Sequence, residues 1–159
     1  MELNITIKGL DAVASRLDTV SADTQTKLKD AMKSSVRDIQ ERARKNHRYI
    51  TRTGEAKRSI KMSVSFTRDD ISGIVGTTRK ITVYLHQGTK RHTIVPRRKA
   101  ALRWTNGSQF MFAKRVSHPG TKKDPFIFNA VHSEQRHIIS RFEKAVRQAI
   151  GEAIWISLR

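Results

Sequence analysis

Apolar residues Leu28, Met32, Val36, Ile39 and Ala43 recur at steps of three and four in a stretch that holds no Gly or Pro from Ser21 to His47. That period predicts one long amphipathic helix over about 22–47. Ser21 is placed to cap it, with Asp23 and Thr24 in the first turn. Lys27, Lys29, Lys33, Arg37, Arg42 and Arg44 occupy the other face. At ~1.5 Å per residue such a helix is about 39 Å long, so its stripe needs a sheet or another subunit to cover it. A second long helix is predicted over 126–156, after Pro125, from Phe128, Val131, Ile138, Phe142, Val146, Ile150 and Ile154.

Elsewhere the period falls to two in several short runs. Leu3 to Ile7 alternates and predicts a short strand, and Leu10, Val13, Leu17 and Val20 predict a brief helix over 10–20. Thr53-Gly54-Glu55 marks a turn and helix start, with Thr53 as its cap. Ile60, Met62, Val64 and Phe66 alternate, Asp69-Asp70 turns the chain, and Ile71 to Val75 returns, which describes a hairpin. Ile81, Val83 and Leu85 predict a third strand. Residues 92–96, 100–104 and 109–116 are further extended pieces, and Asn106-Gly107 is a hairpin-turn signal between the last two. The expected class is α+β: one layer of antiparallel short strands packed by a long N-terminal-half helix and a long C-terminal helix, as one domain over 1–159.

Composition changes this picture mainly through charge. The 159 residues carry 32 Lys and Arg against 14 Asp and Glu, formally +18. Residues 71–123 hold twelve Lys and Arg and no acid at all. A field of one sign implies an anionic partner or an acidic protein neighbour. Cys is absent, which excludes disulfides and thiolate metal sites. Met1-Glu2 with no long apolar run behind it argues against a secretory signal. No stretch approaches the ~20 apolar residues of a membrane-spanning helix, so cytoplasmic synthesis and assembly are expected.

One short pattern occurs twice in the basic window, as His86-Gln87-Gly88-Thr89-Lys90-Arg91 and His118-Pro119-Gly120-Thr121-Lys122-Lys123. Glycine permits positive φ, so consecutive amides there could converge on an anion. Neither copy has the Gly-x4-Gly-Lys-Ser/Thr spacing of a phosphate-binding loop, and ordinary strand-end turns are the favoured reading. His86, His92 and His118 lack close metal-ligand pairing, and Asp69-Asp70 belongs to a hairpin tip. His132 and His137, five apart, do not share a helix face. The window supplies no carboxylate for acid–base work. No catalytic, metal or cofactor site is therefore expected. The run Lys90, Arg91, Arg97, Arg98, Lys99 and Arg103-Trp104, with Lys114, Arg115, Lys122 and Lys123, is the candidate interface. It suits either phosphate contact with base stacking or docking on an acidic protein surface. Trp104, Phe110 and Phe112 read as core or interface anchors.

The order of these signals resembles a family of small phage proteins, the tail-completion or head–tail joining (neck) components of long-tailed bacteriophages. Arg52-Thr53-Gly54-Glu55-Ala56-Lys57-Arg58-Ser59-Ile60 is similar to the family's Thr-Gly-x-Leu-x-x-Ser-Ile element. His86-Gln87-Gly88-Thr89 falls at its Glu-aromatic-Gly-Thr signature. Arg91-His92-Thr93-Ile94-Val95-Pro96 through Ala101-Leu102-Arg103-Trp104 is similar to its His-x-Ile-x-Pro…Ala-Leu-x-Phe/Trp segment. Phe112 to Thr121 and Pro125-Phe126 match its closing run, so the likeness covers roughly residues 10 to 150, with Gly54, Gly88, Gly120 and Pro125 as its structural turns. Ala56 departs from the usual Leu, and His86-Gln87 removes an acid from the basic region. The resemblance implies a non-enzymatic virion structural protein without cofactors, assembled in the bacterial cytoplasm into the neck of the particle. It also implies a ring, most naturally a hexamer, with connector or stopper, tail tube or terminator as neighbours, DNA as a candidate in the lumen, and no membrane partner. Closed rings use two unlike patches per copy. The competing classes are a stand-alone basic nucleic-acid-binding protein and, ranked last, a small basic ribonuclease of the toxin type.

Overall fold

A computed structural model describes residues 3–7, 22–67 and 70–157, with side chains from 22–67 and 70–149. The elements run β1 (Leu3–Ile7), α1 (Ala22–Lys45), α2 (Glu55–Ser59), β2 (Lys61–Phe66), β3 (Ile71–Thr77), α3 (Lys80–Gln87), β4 (His92–Ile94), β5 (Leu102–Asn106), β6 (Gln109–Ala113), β7 (Val116–His118) and α4 (Phe126–Ser157). The class is α+β, as expected. The brief helix expected over 10–20, the Ser21 cap and Asp69 lie outside the described residues.

α1 is the middle layer of the molecule. Asp23 in its first turn and Arg42, Arg44 and Lys45 in its last oppose the helix dipole. Leu28, Met32, Val36, Ile39 and Ala43 are all buried, each large side chain among them contributing about 1.5–3 kcal/mol by leaving water. One flank of this stripe packs on β3 and β2, the other on α4. The stripe is thus covered within one chain and leaves no apolar face of α1 for a second subunit.

β3 is the central strand of an antiparallel sheet ordered β1-β3-β2. It pairs Ile5 with Val75 on one side and Met62 with Val75 on the other. The β2–β3 hairpin keeps the expected alternation, with Phe66 opposite Ile71. Where α1 crosses β3 the strand carries Gly73, and a Cβ there would stand 2.7 Å from the Met32 sulfur and closer still to Val36 Cγ2. The missing side chain sets the helix-to-sheet distance.

The Arg52–Ile60 segment is tied in by polar contacts. Gly54, at φ 72°, is the N-cap of α2, so the capping position lies one residue after the expected Thr53. The Thr53 hydroxyl accepts from the Glu55 N–H at 3.4 Å. The Ile60 carbonyl accepts from Gln40 Nε2 at 2.8 Å and from Arg44 Nη2 at 2.7 Å. Ser59 Oγ lies 2.8 Å from Thr82 Oγ1 and accepts from the Thr77 hydroxyl at 3.0 Å. A short hydroxyl chain therefore joins α2, β3 and α3, which explains a Ser-Ile pair at the end of this motif.

Three expectations need correction. Residues 80–87 form the helix α3 and not a third strand. Ile81-x-Val83-x-Leu85 does alternate, but Ile81 is 51% exposed, and the buried positions are Thr82, Val83 and His86, which is helical spacing. The strands do not form one layer: β4 pairs with β7 and β5 with β6 in two further two-stranded sheets. On α4 the buried line is Ile127, Ala130, Glu134, Ile138, Ala145 and Ala149, so Phe128, expected on the stripe, faces solvent at 47% exposure.

Candidate binding surface

The two Gly-Thr-Lys repeats fold against each other. Thr89 and Thr121 form an antiparallel bridge, exchanging both backbone hydrogen bonds at 3.0 and 3.1 Å. The Thr121 N–H also reaches the Thr89 hydroxyl at 2.9 Å. The same register continues into β4 and β7, where His92 faces His118 and Ile94 faces Val116. Gly88 (φ 79°) and Gly120 (φ 98°) hold conformations that side chains avoid. A Cβ on Gly88 would lie 2.8 Å from the Thr121 carbonyl oxygen, and one on Gly120 would strike Thr89 O, Lys90 and Arg91. The repeats are structural turns, and what they build is one shared ladder.

That ladder collects cations. Lys90-Arg91 and Lys122-Lys123 follow its two bridged threonines and are exposed. Arg97, Arg98 and Lys99 lie in the exposed loop before β5, and Lys114 and Arg115 between β6 and β7. Among the described residues only Arg79 of the twelve window cations has a carboxylate partner, Glu55. Arg91 Nε donates to Ser117 Oγ at 3.2 Å, and the Arg103 guanidinium lies 4.8 Å from the Phe110 ring centroid. The positive field of this side is therefore not neutralised within the chain.

Between the two basic clusters stands an arm. β5 and β6 pair from Leu102–Ala113 to Asn106–Gln109 around the expected Asn106-Gly107 turn. Side chains alternate faces, so Arg103, Thr105, Phe110 and Phe112 share one face and Trp104 and Met111 the other. Phe112 is 64% exposed, Phe110 59% and Trp104 42%. These aromatics are not core anchors. From Trp104 to Phe112 the arm carries no charge.

The histidines separate into two settings. His86 is buried, 1% exposed, with its ring 5.1 Å from that of Phe126 and 5.0 Å from that of Phe128. Neither of its ring nitrogens has a hydrogen-bond partner. Burial lowers its pKa below the usual imidazole value, with Asp124 opposing that shift and Lys123 reinforcing it. Beside it His47 stacks on Tyr49 at 3.8 Å, and burial, helped by Asp124, raises the Tyr49 hydroxyl. Asp124, 7% exposed, accepts from the Arg48 N–H at 2.6 Å and leads through Pro125 into α4. His92 and His118 face each other with centroids 5.0 Å apart. Among the described residues no group of three or more His, Asp or Glu is placed to hold a metal ion.

An open cleft of ≈ 430 Å³ lies between α1 and α4, lined among others by Asp38, Glu41, Arg42, Glu134, His137 and Arg141. No local pattern announces it, because its charges come from helices about a hundred residues apart. Arg42 pairs with the buried Glu134, Arg141 with Asp38, and Lys45 with Glu41 at 3.7 Å. Arg141 also donates to Ser35 Oγ at 3.0 Å. The acids are thus engaged, and the cleft acts as an ionic strut between the two long helices. No described helix is long and apolar enough to cross a membrane. No protein-family model, curated protein or solved structure matches this chain.

Proposed function

We propose that this protein is a structural component of the neck of a long-tailed bacteriophage, completing the head-proximal end of the tail and joining it to the head as an oligomeric ring. The observation that carries this reading is the arm, uncharged from Trp104 to Phe112, with Trp104, Phe110, Met111 and Phe112 outside the core. A two-stranded ribbon is marginal in water on its own, and aromatic, Met and Arg side chains are the groups that protein interfaces bury at their centres. A chain that builds a complete core and still presents such a ribbon is made to be finished by neighbours.

The residues behind the resemblance lend further support. Gly54, Ser59 and Ile60, the paired Gly88-Thr89 and Gly120-Thr121, and Pro125-Phe126 hold this fold together. Since the α1 stripe is covered internally, contacts between copies fall to the arm and to exposed apolar side chains such as Ile81 and Tyr84 on α3. These are unlike patches, as a closed ring of copies requires. Connector or stopper, tail tube and terminator are the proposed neighbours. The test is gold labelling of finished particles together with mass measurement of isolated necks. Label at the head–tail junction and a multimeric neck species are expected; absence from particles, or a strict monomer both in isolated necks and as purified protein, rejects the reading.

A further inference from the structure

We propose that the ladder formed by the two repeats is a phosphate-binding face for duplex DNA, contacted without regard to base sequence. Lys90-Arg91 and Lys122-Lys123 leave one bridged threonine pair in opposite directions and lie exposed, with no carboxylate partner among the described residues. Arg97, Arg98, Lys99, Lys114 and Arg115 extend the same acid-free field. Cations held on a stiff backbone ladder neutralise phosphates and release their counterions, which is the dominant sequence-independent term in DNA binding.

The placement of apolar groups selects among anionic partners. Protein interfaces centre on aromatic residues and are depleted in Lys; here the exposed aromatics stand on the arm, whose one cation is Arg103, and Lys90, Lys122 and Lys123 stand on the ladder among Thr, Gly and Ser. Single-strand binding needs aromatic rings beside the cations for base stacking. The rings available at the ladder, His92 and His118, face each other at 5.0 Å. Duplex DNA, whose charge lies outside and whose bases are already stacked, fits a face with cations and no free ring. This inference does not depend on the neck assignment: it rests on the ladder, and that assignment on the arm.

Fluorescence anisotropy of the full chain with a short labelled duplex tests it, read between about 50 and 200 mM salt. If the four ladder cations each neutralise a phosphate, log Kobs against log salt should fall with a slope of about −3 to −4. Lys90→Gln/Lys122→Gln should flatten that slope by about 2, and a duplex of shuffled sequence should bind alike. Lys122→Gln/Lys123→Gln, which spares the Thr89 side of the bridge, serves if the first pair unfolds. Phe110→Ser/Phe112→Ser should bind DNA as the parent does. An unchanged slope in both folded lysine variants overturns the proposal, as does loss of DNA binding in the arm variant. Lysine variants that keep full DNA binding but no longer join heads to tails would assign the ladder to a protein contact instead, whereas a parent that binds duplex yet is absent from particles rejects only the neck reading.

Discussion

Gly120 faces the carbonyl of Thr89 so closely that no Cβ fits between them. The contact spans the bridge between the two repeats, and each repeat contributes a glycine at positive φ. Gly120→Ala should therefore cost both backbone strain and a backbone clash, together about 2–4 kcal/mol. Gly88→Ala should cost a similar amount, because its neighbours, Thr121 O and Lys123 N, are also backbone atoms that cannot rotate away. Urea unfolding midpoints check this; an unchanged midpoint for Gly120→Ala would mean that the bridge does not form in solution.

Gly73 is excluded from substitution for a different reason. Its backbone is ordinary strand, and the obstacle is Val36 and Met32 on α1. Gly73→Ala should destabilise by about 1–3 kcal/mol through overpacking. Combining it with Val36→Ala should recover part of that loss, since the two sites share the same space. Additive losses in the double variant would contradict the contact.

His86 gives the stability a pH dependence. Its folded pKa lies below the unfolded value of about 6.5 because burial disfavours the cation. The unfolded chain then binds the proton more readily, so this contribution is full above about pH 6.5 and is lost as pH falls through the folded pKa. His86→Phe should reduce the drop in unfolding free energy between neutral and mildly acidic buffer. The same drop in parent and variant would place the titration elsewhere.

The arm should matter for assembly and not for folding. Phe110→Ser/Phe112→Ser removes two exposed rings and should change stability by no more than about 0.5 kcal/mol per site, while head–tail joining in an infected-cell extract falls. A large loss of stability would show that the rings are packed within the chain after all.

Long-range order was the less legible part of this sequence. α1, α4, the β2–β3 hairpin and the Asn106-Gly107 turn follow from local period and turn chemistry, and they form as expected. Alternation over 81–85 predicts a strand where α3 forms, because eight residues sample alternation and helical spacing almost equally, and Ile81 and Leu85 supply the wrong cue when Thr82 and His86 are the buried pair. The phase of α4 was missed at Phe128 because small residues, Ala130, Ala145 and Ala149, line the buried side where the two long helices come close. Local chemistry shows the repeats as two turns; that they bind one another depends on a pairing across 32 residues, which no local pattern carries. The ionic strut of Arg42, Glu134, Asp38 and Arg141 is hidden for the same reason.

Residues 90–120 leave the body at Thr89 and come back to it at Thr121, and the excursion is closed there by the bridged pair and, just beyond it, by the β4–β7 pairs. A segment closed in this way can grow or shrink at small thermodynamic cost, about 0.6 kcal/mol for each doubling of a flexible loop. The ladder thus makes the arm an exchangeable cartridge: a different ribbon, longer or carrying other side chains, can be grafted between Ile94 and Val116 to fit a different neighbour while the chassis stays the same.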